Sequence, residues 1–212
     1  MKSIVVLISG RGSNLEAILK ARLPVKVAAV ISNNPQAKGL AIARAHGIEA
    51  LTLDRKQFAS REAFDAELAS RIAVFKPDLI ALAGFMLLLG DVFVERFANR
   101  IINIHPSLLP AFPGLDTHAR ALQVGVKIHG CTVHFVTPKL DHGPIIIQAA
   151  VPVLAADNEA TLAARVLKQE HRIYPQAIRW FTEDRLVIEN RGVRVIGAKA
   201  GHSALFSPGV DE

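Results

Sequence analysis

Cysteine is nearly absent: Cys131 is the only one in 212 residues, so no disulfide can close within the chain. That fits a reducing compartment. Aromatic residues make up only 6% and do not interleave with the lysines and arginines, which are scattered rather than clustered. A nucleic-acid surface is therefore not expected, although the formal charge is +6. Long apolar runs are missing as well. The first covers residues 4–8 and lacks a small-residue cleavage site. The longest, residues 79–89, is broken by Gly84 and is too short to cross a bilayer. No His-x-x-x-His, cysteine pair or carboxylate cluster has metal-ligand spacing, so no metal is expected. No Gly-x-Ser-x-Gly elbow is present, which argues against a serine hydrolase. The expectation is a soluble, cytoplasmic protein.

What is present is apolar: 50% of residues are hydrophobic and 21% charged, a mix that suits a compact globule. The length suits one domain with two lobes, residues 1–100 and 101–190, and a loose tail at 198–212.

The first lobe alternates strand and helix. Residues 4–9 form a run rich in β-branched residues, as a buried parallel strand should be. Further strands are expected at 25–32, 49–53, 79–83 and 101–104, with helices at 15–20, 40–46, 60–75 and 91–98. This order predicts an α/β fold: a Rossmann-like, open, mostly parallel twisted sheet with helices on both faces. After a proline-rich loop at 107–117 the pattern changes. Residues 132–136 and 145–153 read as paired strands, 158–181 as a long helix, and 186–189 with 193–196 as a hairpin around Asn190, Arg191 and Gly192.

Two places carry chemistry. Gly10-Arg11-Gly12-Ser13-Asn14 lies between a buried strand and a helix start. Glycine lets backbone approach an anion, and the helix N-terminus offers free N–H groups and positive charge. A phosphate is the natural guest. The same residues also read as a plain tight turn, with Ser13 or Asn14 capping the helix. The second place is Asn103-Ile104-His105-Pro106-Ser107, closing an apolar strand. Residues two apart on a strand share a side, so Asn103 and His105 project together at the end where open α/β sheets bind ligands. Asp141, in Leu140-Asp141-His142-Gly143-Pro144, reads as a turn residue unless the fold brings it to His105. A carboxylate beside an imidazole favours the imidazolium. His134 reads as core or cleft lining, His118 as a residue near a helix start, and His46, His129 and His202 as surface or turn residues.

Taken in order, residues 5–15, 82–86, 103–110, 130–136, 140–144 and 169–175 resemble the folate-dependent formyltransferase family. The resemblance spans roughly residues 3–188. It implies a fold of the formyltransferase type and transfer of the formyl group of 10-formyltetrahydrofolate, a co-substrate, to the amine of 5'-phosphoribosylglycinamide (glycinamide ribonucleotide) in purine biosynthesis. It implies that Asn103, His105 and Asp141 are catalytic. Gly12, Ser13 and Asn14 match the phosphate site, and Glu170 matches a carboxylate that contacts the glycinamide. Arg61, Met86, Leu87, Leu88, Leu89 and Asn103 match the folate site, with Leu87 where relatives often carry arginine. The implied partners are small molecules, with no membrane, and the implied state is a monomer or weak homodimer. The length argues against an appended RNA-binding domain or a preceding regulatory domain. A formyltetrahydrofolate hydrolase and a non-catalytic nucleotide- or folate-binding module stay open as alternatives.

Overall fold

A computed structural model describes residues 1–189, 192–198, 205 and 207. The chain divides into two compact units, residues 1–103 with 135–139, and residues 104–134 with 140–212.

The first unit follows the alternating pattern. β1 (Ser3–Ile8), β2 (Lys26–Ser32), β3 (Glu49–Thr52), β4 (Leu79–Leu82) and β5 (Ile101–His105) are its strands, and β5 crosses the boundary between units. They run in the order β3-β2-β1-β4-β5, and each neighbouring pair is parallel. β1 is central, which explains its unbroken apolar run: Ile4, Val5, Val6, Leu7 and Ile8 are all fully buried. Each such side chain contributes about 2 kcal/mol by leaving water.

Between the strands lie α1 (Ser13–Lys20), α2 (Lys38–Ala45), α3 (Arg61–Val74) and α4 (Asp91–Arg96). α3 starts where Ser60 Oγ accepts the Ala63 N–H at 3.1 Å. It buries Phe64, Leu68 and Ile72, one per turn, into a core shared with Val5, Leu7, Ile31, Ile80 and Phe93.

In the second unit β6 (Ile128–Phe135) and β7 (Ile145–Pro152) pair antiparallel. β9 (Gly192–Val195) runs parallel to β7 and antiparallel to β8 (Leu186–Glu189). α6 (Glu159–Thr182) is closed at its start by a reciprocal pair: Asn158 Oδ1 accepts from Thr161 N, and Thr161 Oγ1 from Asn158 N, both at 3.0 Å. The expected hairpin forms on both sides of Asn190 and Arg191, which lie outside the described residues. Most of the expected tail at 198–212, His202 included, lies outside them too. The sheet pairing is thus mostly parallel but mixed, an α/β fold.

Two expectations need correction. The helix start expected near His118 opens a full helix, α5 (Thr117–Val124), and Thr117, expected as the end of the proline-rich loop, is its first residue. No side chain caps it, and Asp116 before it has φ 56°, so the usual start signal is missing. β6 also begins four residues earlier than expected, because Ile128 already pairs with Pro152. His129 is therefore a buried strand residue, 1% exposed, and not a surface one.

Candidate active site

The second unit brings His105 and Asp141 together. His105 closes β5, and its Nδ1 lies 3.5 Å from Asp141 Oδ2. Asp141 occupies the left-handed region at φ 53°, as the Asp-x-Gly turn suggested. The turn reading and the partner reading both hold. The Gly114 N–H donates to Asp141 Oδ2 at 2.8 Å, which orients the carboxylate. His105 Nε2 faces the Phe112 carbonyl oxygen at 2.9 Å, so the ring has an oxygen at each nitrogen.

A third side chain joins them. His134, on β6, places Nε2 3.8 Å from Asp141 Oδ1. The sequence left His134 between core and cleft. It is buried and it touches the carboxylate, a role that the alternation of β6 alone could not assign.

Behind this group, the His129 ring packs edge-on against Phe112 and His118, with centroids 5.8 and 5.3 Å apart. Burial holds the His129 pKa down to about 4, with His118 adding to the effect. Burial also lowers that of His118. The loop after His105 is anchored by Thr132. Its Oγ1 donates to the Ser107 carbonyl at 2.7 Å, and accepts from Leu109 N at 3.0 Å and Gln148 Nε2 at 2.9 Å.

The first unit holds the glycine turn. Gly12 is the N-cap of α1 at φ 82°, and no side chain caps the helix. The capping alternative for Ser13 and Asn14 therefore fails: both belong to the first turn. A helix start whose N-cap residue offers no side-chain oxygen presents main-chain N–H groups and positive charge, which suits an anion. Glycine is required at 12 for a second reason. A Cβ there would lie 2.6 Å from the Cα of Gly39, whose N–H donates to the Gly10 carbonyl at 3.1 Å. Two backbones touch where neither side chain could fit.

The other expected folate positions also lie in the first unit. Arg61 opens α3 and is exposed. Met86 and Leu88 are exposed, Leu87 packs against the core, and Leu89 is buried in it. Asn103 is half-buried on β5. Glu170 is buried on α6 of the second unit. Among the described residues no group of histidine, cysteine and acidic side chains could hold a metal ion, and no helix is long and apolar enough to span a membrane.

Residues 2–178 match the formyl transferase family, and the chain belongs to it. It is 50% identical over 201 residues to phosphoribosylglycinamide formyltransferase of Escherichia coli K12, covering 93% of this chain and 95% of that one. Its fold superposes on the crystal structure of glycinamide ribonucleotide transformylase 1 from Symbiobacterium toebii with a TM-score of 0.89. The two are 55% identical, and the match covers 92% and 94% of the two chains. It is also 48% identical to a segment of the trifunctional purine biosynthetic protein adenosine-3 of Drosophila melanogaster, over 84% of this chain and 14% of that protein.

Proposed function

We propose that this enzyme transfers the formyl group of 10-formyltetrahydrofolate to the amine of 5'-phosphoribosylglycinamide, a step of purine biosynthesis. The names of its relatives and the family match support the reaction. One observation carries the residue roles: His105 and Asp141 meet at 3.5 Å at the end of the strand that holds Asn103.

The amine nitrogen attacks the formyl carbon, and the carbonyl π electrons move onto the formyl oxygen. Asn103 and His105 donate hydrogen bonds to that oxyanion. His105 Nε2 is engaged by the Phe112 carbonyl, whereas Nδ1 stands 3.5 Å from Asp141, longer than a good hydrogen bond. Nδ1–H is therefore the donor available to the oxyanion, with Asp141 as its counterion. Such donors are aimed at charge that exists only in the transition state. The attacking nitrogen loses a proton with help from Asp141, directly or through water. The folate N10 takes up a proton as its bond to the formyl carbon breaks. No covalent enzyme intermediate forms, and holding two substrates in register supplies much of the acceleration.

Gly12, Ser13 and Asn14 take the ribonucleotide phosphate, supported by the uncapped start of α1. Glu170 contacts the glycinamide. Arg61, Met86, Leu87, Leu88, Leu89 and Asn103 take the folate. We further propose a cytoplasmic monomer or weak homodimer that acts on small molecules and not on nucleic acid, in keeping with its scattered basic residues.

The absorbance change on deformylation of 10-formyltetrahydrofolate tests the reaction. Turnover is expected only when glycinamide ribonucleotide is added. Turnover without it would identify a hydrolase, and no turnover under either condition would identify a binding module.

A further inference from the structure

The segment joining β4 to α4 is held at two points by side chains from other elements. The Met86 N–H donates to Ser9 Oγ at 2.8 Å, and the Gly90 N–H donates to Asp65 Oδ2 at 2.7 Å. Between them, Leu87, Leu88 and Leu89 make no backbone hydrogen bond to any described residue. Leu87 and Leu89 turn to the core, while Met86 and Leu88 stand 63% and 54% exposed. Main-chain bonds to Leu7 and Ser9 hold Ala83 and Gly84, but beyond them no helix or strand ladder sets the course of the segment. Two side-chain acceptors do.

Asp65 is an unusual choice for one of them. It is only 7% exposed, and its Oδ1 has no partner. A buried oxygen left unsatisfied is destabilising, so packing alone would favour an apolar residue here. Burial pushes the Asp65 carboxyl above its ordinary value, against the Gly90 N–H and the charge of Arg61. Asp65 and Arg61 lie four apart on α3, on one face, and both reach Gly90. A Cβ added at Gly90 would stand 2.9 Å from Asp65 Oδ2 and 3.6 Å from Arg61 Nε.

We propose that Asp65 is a positioning residue for the folate: by fixing Gly90, with Ser9 fixing Met86, it aims the unpaired amides and carbonyls of residues 87–89 at the donor and acceptor edge of the folate ring. This rests on the assignment of residues 86–89 to the folate. The residue touches no substrate. It keeps flexible backbone in one geometry, so that the ring meets preset hydrogen-bonding groups and does not have to order them.

The test is steady-state kinetics with each substrate varied in turn, together with thermal melting. Asp65→Ala should raise KM for 10-formyltetrahydrofolate about tenfold and leave KM for the ribonucleotide within about twofold. Asp65→Asn, whose amide oxygen still accepts from Gly90, should recover most of the loss. Ser9→Ala should raise the folate KM as well, and it carries the test should Asp65→Ala fail to fold. Ser60→Ala removes the cap of the same helix and should lower Tm without moving the folate KM, which gives the effect of a merely weakened α3. The proposal is overturned by an unchanged folate KM in Asp65→Ala or Ser9→Ala, by equal rises for both substrates in Asp65→Ala, or by failure of Asp65→Asn to recover. Leu88→Asp, on the segment itself, separates the two levels. If it leaves the folate KM unmoved, the folate assignment fails. If it raises that KM while Asp65→Ala does not, only the positioning role fails.

Discussion

The glycine turn before α1 and the histidine–aspartate cluster after β5 are both proposed sites for polar guests, but they are made of opposite materials. The turn works with main chain. It stands at the start of a helix, and what matters at Gly12 and Gly39 is the side chain that each lacks. The cluster works with side chains: His105, Asp141 and His134 come from three separate stretches and meet within 3.8 Å. A backbone site is specified locally and tolerates little change in shape. A side-chain site is specified by the whole fold and tolerates little change in chemistry.

The largest expected effect is on the chemical side of this contrast. His105→Ala and Asp141→Ala should each lower kcat about 100- to 1000-fold, the usual loss for an oxyanion donor or its partner. KM for both substrates should change little, and so should Tm. Wild-type turnover in either variant, measured by the deformylation assay, would remove the side-chain site from the comparison altogether.

Gly12→Ala should do the reverse. Its Cβ would sit 2.6 Å from the Gly39 Cα, and the backbone at φ 82° disfavours any side chain. Strain and overpacking together should cost about 3 kcal/mol of stability. The surviving enzyme should show a raised KM for the ribonucleotide and a kcat within about threefold of the original. Urea denaturation and substrate titration check the two halves. An unchanged KM would mean that the turn is a packing device and not a phosphate site.

The same contrast decided what could be read from the sequence. The run from Gly10 to Asn14 is contiguous, and a strand before it with a helix after it is enough to suggest an anion site. Its packing partner Gly39 was invisible, because nothing local in Lys38–Ala45 announces a backbone contact with a distant turn. That β1 to β5 pair in parallel was legible from the alternation of strand and helix and from the apolar runs; their order in the sheet was not. The meeting of Asp141 with His105 was not: from residues alone Asp141 was a turn former, and family resemblance supplied the pairing. His129 was misread because a strand start slipped by four residues, which turned a buried imidazole into a surface one. Asp65 and Ser9 looked like a helix residue and a strand end. Their value lies in two amide groups that only the folded chain presents to them.

Acid should separate the two regions. The glycine turn is made of main chain, whereas the cluster is backed by the buried His129 and the half-buried His118. The His129 pKa in the fold is about 4, below the 6.5 of the free side chain, so the unfolded chain takes up this proton first as pH falls. Its contribution is whole above pH 6.5 and is lost as pH falls toward 4. Allowing for solvent screening, the loss should be roughly 2 kcal/mol. Urea denaturation at neutral and acid pH should show it, and His129→Gln, which cannot titrate, should flatten that part of the profile. An unaltered slope would place the acid sensitivity elsewhere.

The smallest expected effect blurs the contrast on purpose, because Thr132 is a side chain that serves the main chain beside the histidine–aspartate cluster. Its hydroxyl joins Ser107, Leu109 and Gln148 in one buried set of hydrogen bonds. Thr132→Val keeps the shape and removes the oxygen, which leaves the Leu109 N–H and the Ser107 carbonyl short of a partner. The cost should be about 1–2 kcal/mol, since no cavity opens and some of these groups find water. If the cluster depends on its chemistry alone, kcat should hold while Tm falls. If kcat falls about tenfold, the loop from Ser107 to Gly114 sets the geometry of His105 and Asp141 through the Phe112 carbonyl and the Gly114 N–H. In that case the side-chain site stands on a backbone site of its own, and the difference between the two regions is one of layers rather than of kind.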